Sequence, residues 1–258
     1  MRTARRIEKL PPYLFAEIDA KVAEARARGA DIISFGVGDP DLPTPPHVVE
    51  ALARAARDPA THRYPSYTGM PAFRDAIAAW YQQRFEVKLD PDSEVQPLLG
   101  SKEGIFHLPV AFVDPGDVAL VPDPGYPVYE TGAILAGGEP VLLPLRAEDD
   151  WQPDLDAIPP ETADAARVLW LNYPSNPTAA TTTLEYFQRA VDFCLSNDVL
   201  LAHDAAYTEI TFDGYVAPSV LQADGARECA VEFHSLSKTY NMTGWRVGWV
   251  AGAPEAIE

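Results

Sequence analysis

Seven short apolar runs punctuate the chain, at Val95–Leu99, Val118–Val121, Pro140–Leu145, Val168–Leu171, Val199–Ala202, Val231–His234 and Trp245–Val250. Helix-forming segments lie among them, near Glu103–Val113, Tyr126–Ala136, Thr183–Asn197 and Pro218–Asp224. Runs this short and this continuous fit strands buried on both faces, and their alternation with helices predicts an α/β protein around a mostly parallel sheet. Within Thr183–Asn197 the spacing places Leu184, Phe187, Val191 and Leu195 on one stripe, with Thr182 and Glu185 spaced as a capping box.

Upstream of the first run the pattern is helical. Residues Ala16 to Arg28 are rich in Ala, Glu, Lys and Arg, and Gly29 is a natural stop. A short strand is expected at Asp31–Phe35. Thr44 is placed to cap a helix with Pro45 at its first position, running to about Arg57. From Pro71 a further helix sets Phe73, Ile77, Trp80 and Tyr81 on one face, the spacing of a core stripe.

Composition narrows the classes. With 258 residues the chain is long enough for a sizeable core, and 47% hydrophobic with 22% charged residues is the make-up of an ordinary globular protein. Lys plus Arg total 20 against 38 for Asp plus Glu, a net charge of −18 that argues against nucleic acid and anionic membrane as partners. Cys194 and Cys229 form no disulfide framework and no C-x-x-C motif, as expected of reduced core thiols in a cytoplasmic protein. No apolar run reaches transmembrane length, and the N-terminus lacks the pattern of a signal peptide. No metal site is expected.

The candidate chemistry lies just past the apolar runs, where ligands of open α/β sheets bind. After Val231–His234 comes Ser235-Leu236-Ser237-Lys238, followed by Thr243-Gly244-Trp245-Arg246-Val247-Gly248. Ser235, Ser237 and Arg246 are suited to a phosphate, and a lysine among them can hold an aldehyde as a Schiff base. A lysine beside a phosphate cradle points to pyridoxal 5'-phosphate. The run Val95–Leu99 ends in Gly100-Ser101-Lys102-Glu103-Gly104, opening a helix whose N-terminus suits an anion; an ordinary strand-to-helix turn fits equally well. Tyr126 follows the second run and is flat enough to stack on a ring, although a tyrosine packed in a turn reads the same. Asn176 sits in a turn with two X-Pro bonds, one a candidate for the cis form. Asp204 directly follows a buried strand, where an unpaired carboxylate is costly, and suits the protonated nitrogen of a pyridine ring. Tyr207, three residues on, is within reach of the same ring's oxygen.

These segments resemble the class I/II, fold type I, PLP-dependent aminotransferases over essentially the whole chain. Within that family the likeness is greatest to the bacterial LL-diaminopimelate aminotransferase subfamily. It is carried by Leu10 to Ile18, Gly36 to Pro45, Gly100 to Gly104 and Phe233 to Arg246. The resemblance implies a seven-stranded, mostly parallel sheet with helices on both faces, the strand Trp245–Val250 running antiparallel. It implies Lys238, Asp204 and Tyr207 as catalytic residues. Around the cofactor it places Ser101, Lys102, Tyr126, Asn176, Asp204, Tyr207, Ser235, Ser237, Lys238 and Arg246. Tyr64 is implied to reach the cofactor phosphate of a neighbouring subunit in a homodimer. Tyr13, Gly38 and Asn176 are implied to contact substrate. Residues 1–45 would form an N-terminal arm and part of a small domain, and residues 46–258 the large cofactor-binding domain. The C-terminal small domain, with the arginine that takes the substrate α-carboxylate, would be absent from this chain. The implied reaction is transfer of an amino group from LL-2,6-diaminopimelate to 2-oxoglutarate, a step of lysine biosynthesis. The alternatives are an aminotransferase for aspartate, alanine or an aromatic amino acid, and a truncated chain that binds the cofactor without turnover. A non-catalytic PLP-binding regulator would want a basic DNA-binding segment, which the acidic chain does not offer.

Overall fold

In this computed structural model, residues 2–11, 14–36 and 38–258 are described. The chain runs through α1 (Leu14–Ala27), α2 (Pro46–Ala55), α3 (Pro71–Phe85), β1 (Val95–Leu98), α4 (Ser101–Phe112), β2 (Val118–Asp123), α5 (Val128–Ala136) and β3 (Glu139–Pro144). It continues through α6 (Pro160–Ala165), β4 (Ala166–Asn172), α7 (Leu184–Asn197), β5 (Leu200–Asp204), α8 (Ala226–Cys229), β6 (Ala230–Ser235), α9 (Leu236–Thr239), β7 (Gly248–Gly252) and α10 (Pro254–Ile257). All seven expected strands form one sheet in the order β1-β7-β6-β5-β4-β2-β3. Strands β2 to β6 pair in parallel, and β7 lies antiparallel to both β1 and β6.

Alternation along the strands feeds two cores, because successive side chains of a strand point to opposite faces. One face carries Val121, Trp170, Val231 and Phe233 and is covered by α4 and α5 through Ile105, Leu108, Tyr129 and Ala133. The other carries Leu120, Leu169, Leu171 and Leu201 and is covered by α3 and α7 through Ile77, Tyr81, Phe187 and Val191. Full burial of each such large side chain contributes about 2 kcal/mol, which fixes the strand ends that bear the polar residues.

Several local expectations are corrected. Asp31–Phe35 forms no strand: it pairs with no edge of the sheet, and Ile33 and Phe35 stand exposed. Thr44 does not cap α2, whose flanking residue is Pro45; its hydroxyl instead donates to the Asn241 carbonyl at 2.7 Å. The cap of α7 is Thr183, which accepts from the Tyr186 amide, while Thr182 is taken up by Gln152 and Tyr215. That shift turns the buried stripe of α7 to Tyr186, Phe187, Ala190, Val191 and Cys194, leaving Leu184 and Leu195 partly exposed. Pro218–Asp224 contains only a 3-10 turn, Val220–Gln222, held by a capping box between Ser219 and Gln222. The last strand begins at Gly248, since Thr243–Trp245 is a 3-10 turn. In the turn after β4 both X-Pro bonds, Tyr173–Pro174 and Asn176–Pro177, are cis. Cys194 and Cys229 are free and buried.

Candidate active site

The polar residues gather where β4, β5 and β6 end. Register pairs Asn172 with Asp204, Asp204 with Phe233, and Ser235 with Gly248; Gly248 in turn faces Leu98, just before the turn into α4. Gly248 is the joint between two loops. A side chain there would collide with the His234 carbonyl and the Ser101 amide.

Around that joint the phosphate-type residues come together. Ser101 is the first residue of α4, whose unpaired amides and dipole favour an anion, and Lys102 follows, exposed. Arg246 reaches over the same turn, donating to the Thr243 carbonyl at 2.9 Å and to the Leu99 carbonyl at 3.5 Å. Gly100 lies directly beneath its guanidinium; at φ +82° and ψ 152° it occupies backbone space that is essentially glycine-only. Ser235 caps α9 by accepting from the Ser237 amide, and both serines are buried.

Lys238 projects from α9 to the far side of this cluster. Its Nζ donates to the Gly38 carbonyl at 2.7 Å, joining the N-terminal arm to a residue 200 positions later. Burial lowers its pKa, and Asp39 opposes that shift. Gly38 is therefore brought to the lysine. Tyr13 lies outside the described residues.

Asp204 is a buried acid at the end of β5. Tyr129 donates to its Oδ2 at 2.8 Å, while Oδ1 is buried with no partner. Burial raises the Asp204 pKa, and the bond from Tyr129, the nearby His203, the Ala206 backbone and His234 oppose the rise. Burial likewise raises the Tyr129 pKa, so this phenol stays a hydroxyl donor. Tyr129 is stacked on Trp170 at 4.8 Å and 15°, and Tyr126 meets Tyr129 edge-on at 5.7 Å. Asn176 and Tyr207 both line a cavity of about 450 Å³ between the loop after β4 and the loop after β5. Tyr64 is fully exposed.

Sequence reasoning missed the supports. On the opposite face of β5 and β6, Glu232 is fully buried. It accepts from Tyr81 at 3.0 Å, Ser219 at 2.9 Å, His203 at 2.9 Å, His234 at 2.8 Å and the Val220 amide at 2.9 Å. Burial alone would raise the Glu232 pKa; the two histidines overrule it and hold the carboxyl well below the usual range. The only signal in the sequence was three polar residues inside strands, at 203, 232 and 234. Asn172 and Tyr129 carried no signal of their own.

Residues 30–258 match the family model of aminotransferase class I and II. The chain belongs to the class I and II aminotransferases. Among curated relatives, LL-diaminopimelate aminotransferase of Desulforudis audaxviator is 59% identical over 255 residues, covering 99% of this chain and 65% of the relative. The LL-diaminopimelate aminotransferase of Moorella thermoacetica is 57% identical over 258 residues, covering 100% of this chain and 66% of the relative. Among solved structures, substrate-bound BacF from Bacillus subtilis superposes with a TM-score of 0.93 at 38% identity, covering 100% of this chain and 65% of that one. The chain thus spans just under two thirds of the length of the proteins it matches. Among the described residues no helix is long and apolar enough to cross a membrane.

Aminotransferases of this family depend on pyridoxal 5'-phosphate, and the residues present fit it. The decisive observation is Asp204 Oδ1. A buried carboxylate oxygen without a partner is costly, and a protonated pyridine nitrogen is a donor that satisfies it.

Proposed function

We propose that this chain carries the cofactor machinery of an aminotransferase that takes its amino group from LL-2,6-diaminopimelate and passes it to 2-oxoglutarate, a step of lysine biosynthesis. The observation that carries the chemistry is the partnerless Oδ1 of Asp204 beside the strand end that leads to Lys238. The choice of donor is supported by the relatives at 59% and 57% identity that bear that name.

Bound pyridoxal phosphate supplies an aldehyde for amines and a ring that withdraws electrons from the carbon attached to the amino group. Asp204 Oδ1 accepts from the ring N–H and, as a carboxylate, keeps that proton in place. Asn176 and Tyr207 would hold the ring oxygen as donors, and Tyr126 would stack on the ring. Ser101, Lys102, Ser235, Ser237 and Arg246 take the phosphate, with the N-terminus of α4 beneath it. Lys238 would hold the aldehyde at rest, and when freed its Nζ would be the base that takes the proton from substrate Cα. The lowered pKa of Lys238 favours the neutral amine that this transfer needs. Gly38 and Tyr13 would contact substrate.

Residues 1–45 act as the arm and part of a small domain, and residues 46–258 as the cofactor domain. The exposed Tyr64 serves the phosphate of a second copy, so the working unit is a homodimer with shared sites, located in the cytoplasm. The test is a donor panel: the purified protein is given LL-diaminopimelate, aspartate, alanine or an aromatic amino acid with 2-oxoglutarate, and glutamate is measured. LL-diaminopimelate should give the highest kcat/KM. A higher value with another donor would overturn the substrate assignment, and no glutamate with any donor while pyridoxal phosphate stays bound would favour the alternative of a chain that holds the cofactor without turnover.

A further inference from the structure

Asn172 ends β4, and its buried side-chain amide is used at both ends. Its Nδ2 donates to the Asp204 backbone carbonyl at 2.7 Å, and its Oδ1 accepts from the Asn176 amide at 2.6 Å. One planar group therefore spans the end of β5 and the loop after β4. Those two segments carry the acid on one side and the amide side chain on the other. β4 stops at Asn172 itself, so the strand ladder does not reach Asn176.

We propose that Asn172 is a positioning residue that sets the separation of Asp204 from Asn176, and so fixes which part of the ring each one meets. This rests on the reading of Asp204 and Asn176 given above. Both bonds are short, one buried and the other partly buried, and the Asn172 side chain itself is buried, where an amide left unpaired is expensive and the geometry has little freedom. An asparagine is suited to the task because it offers a donor and an acceptor on one rigid plane. A side chain that merely filled space would not need both.

The experiment compares wild type, Asn172→Ala and Asn172→Ser, each alone and combined with Asn176→Ala. Two quantities are read: the dissociation constant for pyridoxal phosphate, and the pH midpoint of the bound cofactor's visible absorption. Loss of a donor to the ring oxygen makes that oxygen hold a proton more readily, so the midpoint should move up. Loss of a buried, paired amide should raise the dissociation constant by about 10-fold and the midpoint by roughly one pH unit. With Asn176 already replaced by alanine, the midpoint should no longer respond to Asn172, since interacting positions are not additive. Wild-type midpoints in both Asn172 variants, or shifts that simply add to that of Asn176→Ala, would overturn the proposal. So would the loss of wild-type far-ultraviolet circular dichroism in both variants, since the role would then belong to the fold at large. Lys238→Ala separates the two readings. If the wild-type absorption is insensitive to Lys238→Ala, the cofactor reading itself fails. If it depends on Lys238 while the Asn172 variants titrate as wild type, only this inference fails.

Discussion

Tyr129 donates its hydroxyl to one oxygen of Asp204 at 2.8 Å and leaves the other oxygen buried without a partner. The carboxylate is thereby oriented, with a single site left open. Tyr129→Phe keeps the stack on Trp170 and removes only the donor. The Asp204 pKa, already raised by burial, then rises further, because the bond from Tyr129 opposes that rise. Ionised Asp204 is the working form, so the acid limb of kcat/KM should move to higher pH. A hydrogen bond to a charged group of this kind corresponds to about 10-fold to 100-fold in rate. The pH profile of Tyr129→Phe checks this; an unmoved acid limb contradicts it.

The same burial makes Asp204 a liability for the cofactor-free protein. Its folded pKa lies above the value of about 3.9 expected in the unfolded chain. Between those two values the folded state holds a proton that the unfolded state has released. Stability therefore falls as pH rises through that window, and the cost is complete above the folded pKa. Asp204→Asn should stabilise the cofactor-free protein by about 1 kcal/mol at neutral pH, with the gain disappearing toward pH ~4. Turnover should fall roughly 100-fold in the same variant, the scale for one preorganised electrostatic group. Urea midpoints at the two pH values, with and without cofactor, measure the first part, and kcat the second.

Glu232 behaves in the opposite sense. Its carboxyl is held below its ordinary range, so the stability it contributes is present above the unfolded value of about 4.3 and is lost as pH falls toward the folded pKa. Glu232 accepts five hydrogen bonds, and a hydrogen bond to a charged group contributes about 1.5–3 kcal/mol. Glu232→Gln should therefore show its largest deficit near neutral pH and converge on wild type in acid. Thermal or urea unfolding between neutral pH and about pH 3 reads this directly.

The seven strands were legible because each is a short, largely apolar run, and several are closed by Gly, Pro or Asn, as at Gly100, Pro122 and Asn172. The residues just past those runs marked the candidate site. What stayed hidden depends on contacts across the sheet. Tyr129 meets Asp204 75 positions away, and His203, Glu232 and His234 share one carboxylate only because β5 and β6 pair in a particular register. Thr182 and Thr183 are equally good caps by type, but the Thr182 hydroxyl accepts from Gln152 and its backbone is bonded to Tyr215, while the Thr183 hydroxyl accepts from the Tyr186 amide. At Asp31–Phe35 the composition suits a strand, but no sheet edge is beside it.

Gly100 tests the phosphate side. An alanine there is strained by the backbone and runs into the Arg246 guanidinium. Gly100→Ala should displace Arg246 and weaken pyridoxal phosphate by about 10-fold, the scale of one charge-assisted hydrogen bond. Titration with inorganic phosphate should show the same loss. Equal affinities in variant and wild type would place the phosphate elsewhere.

The central claim is that Lys238 holds the cofactor. The direct measurement is to load the protein with pyridoxal phosphate, reduce it with borohydride, digest it and locate the pyridoxyl group by mass spectrometry. The group should lie on Lys238, and Lys238→Ala should lose both the label and the visible absorption of the bound cofactor. A label on Lys102 or any other lysine, or an absorption unchanged in Lys238→Ala, would contradict the account.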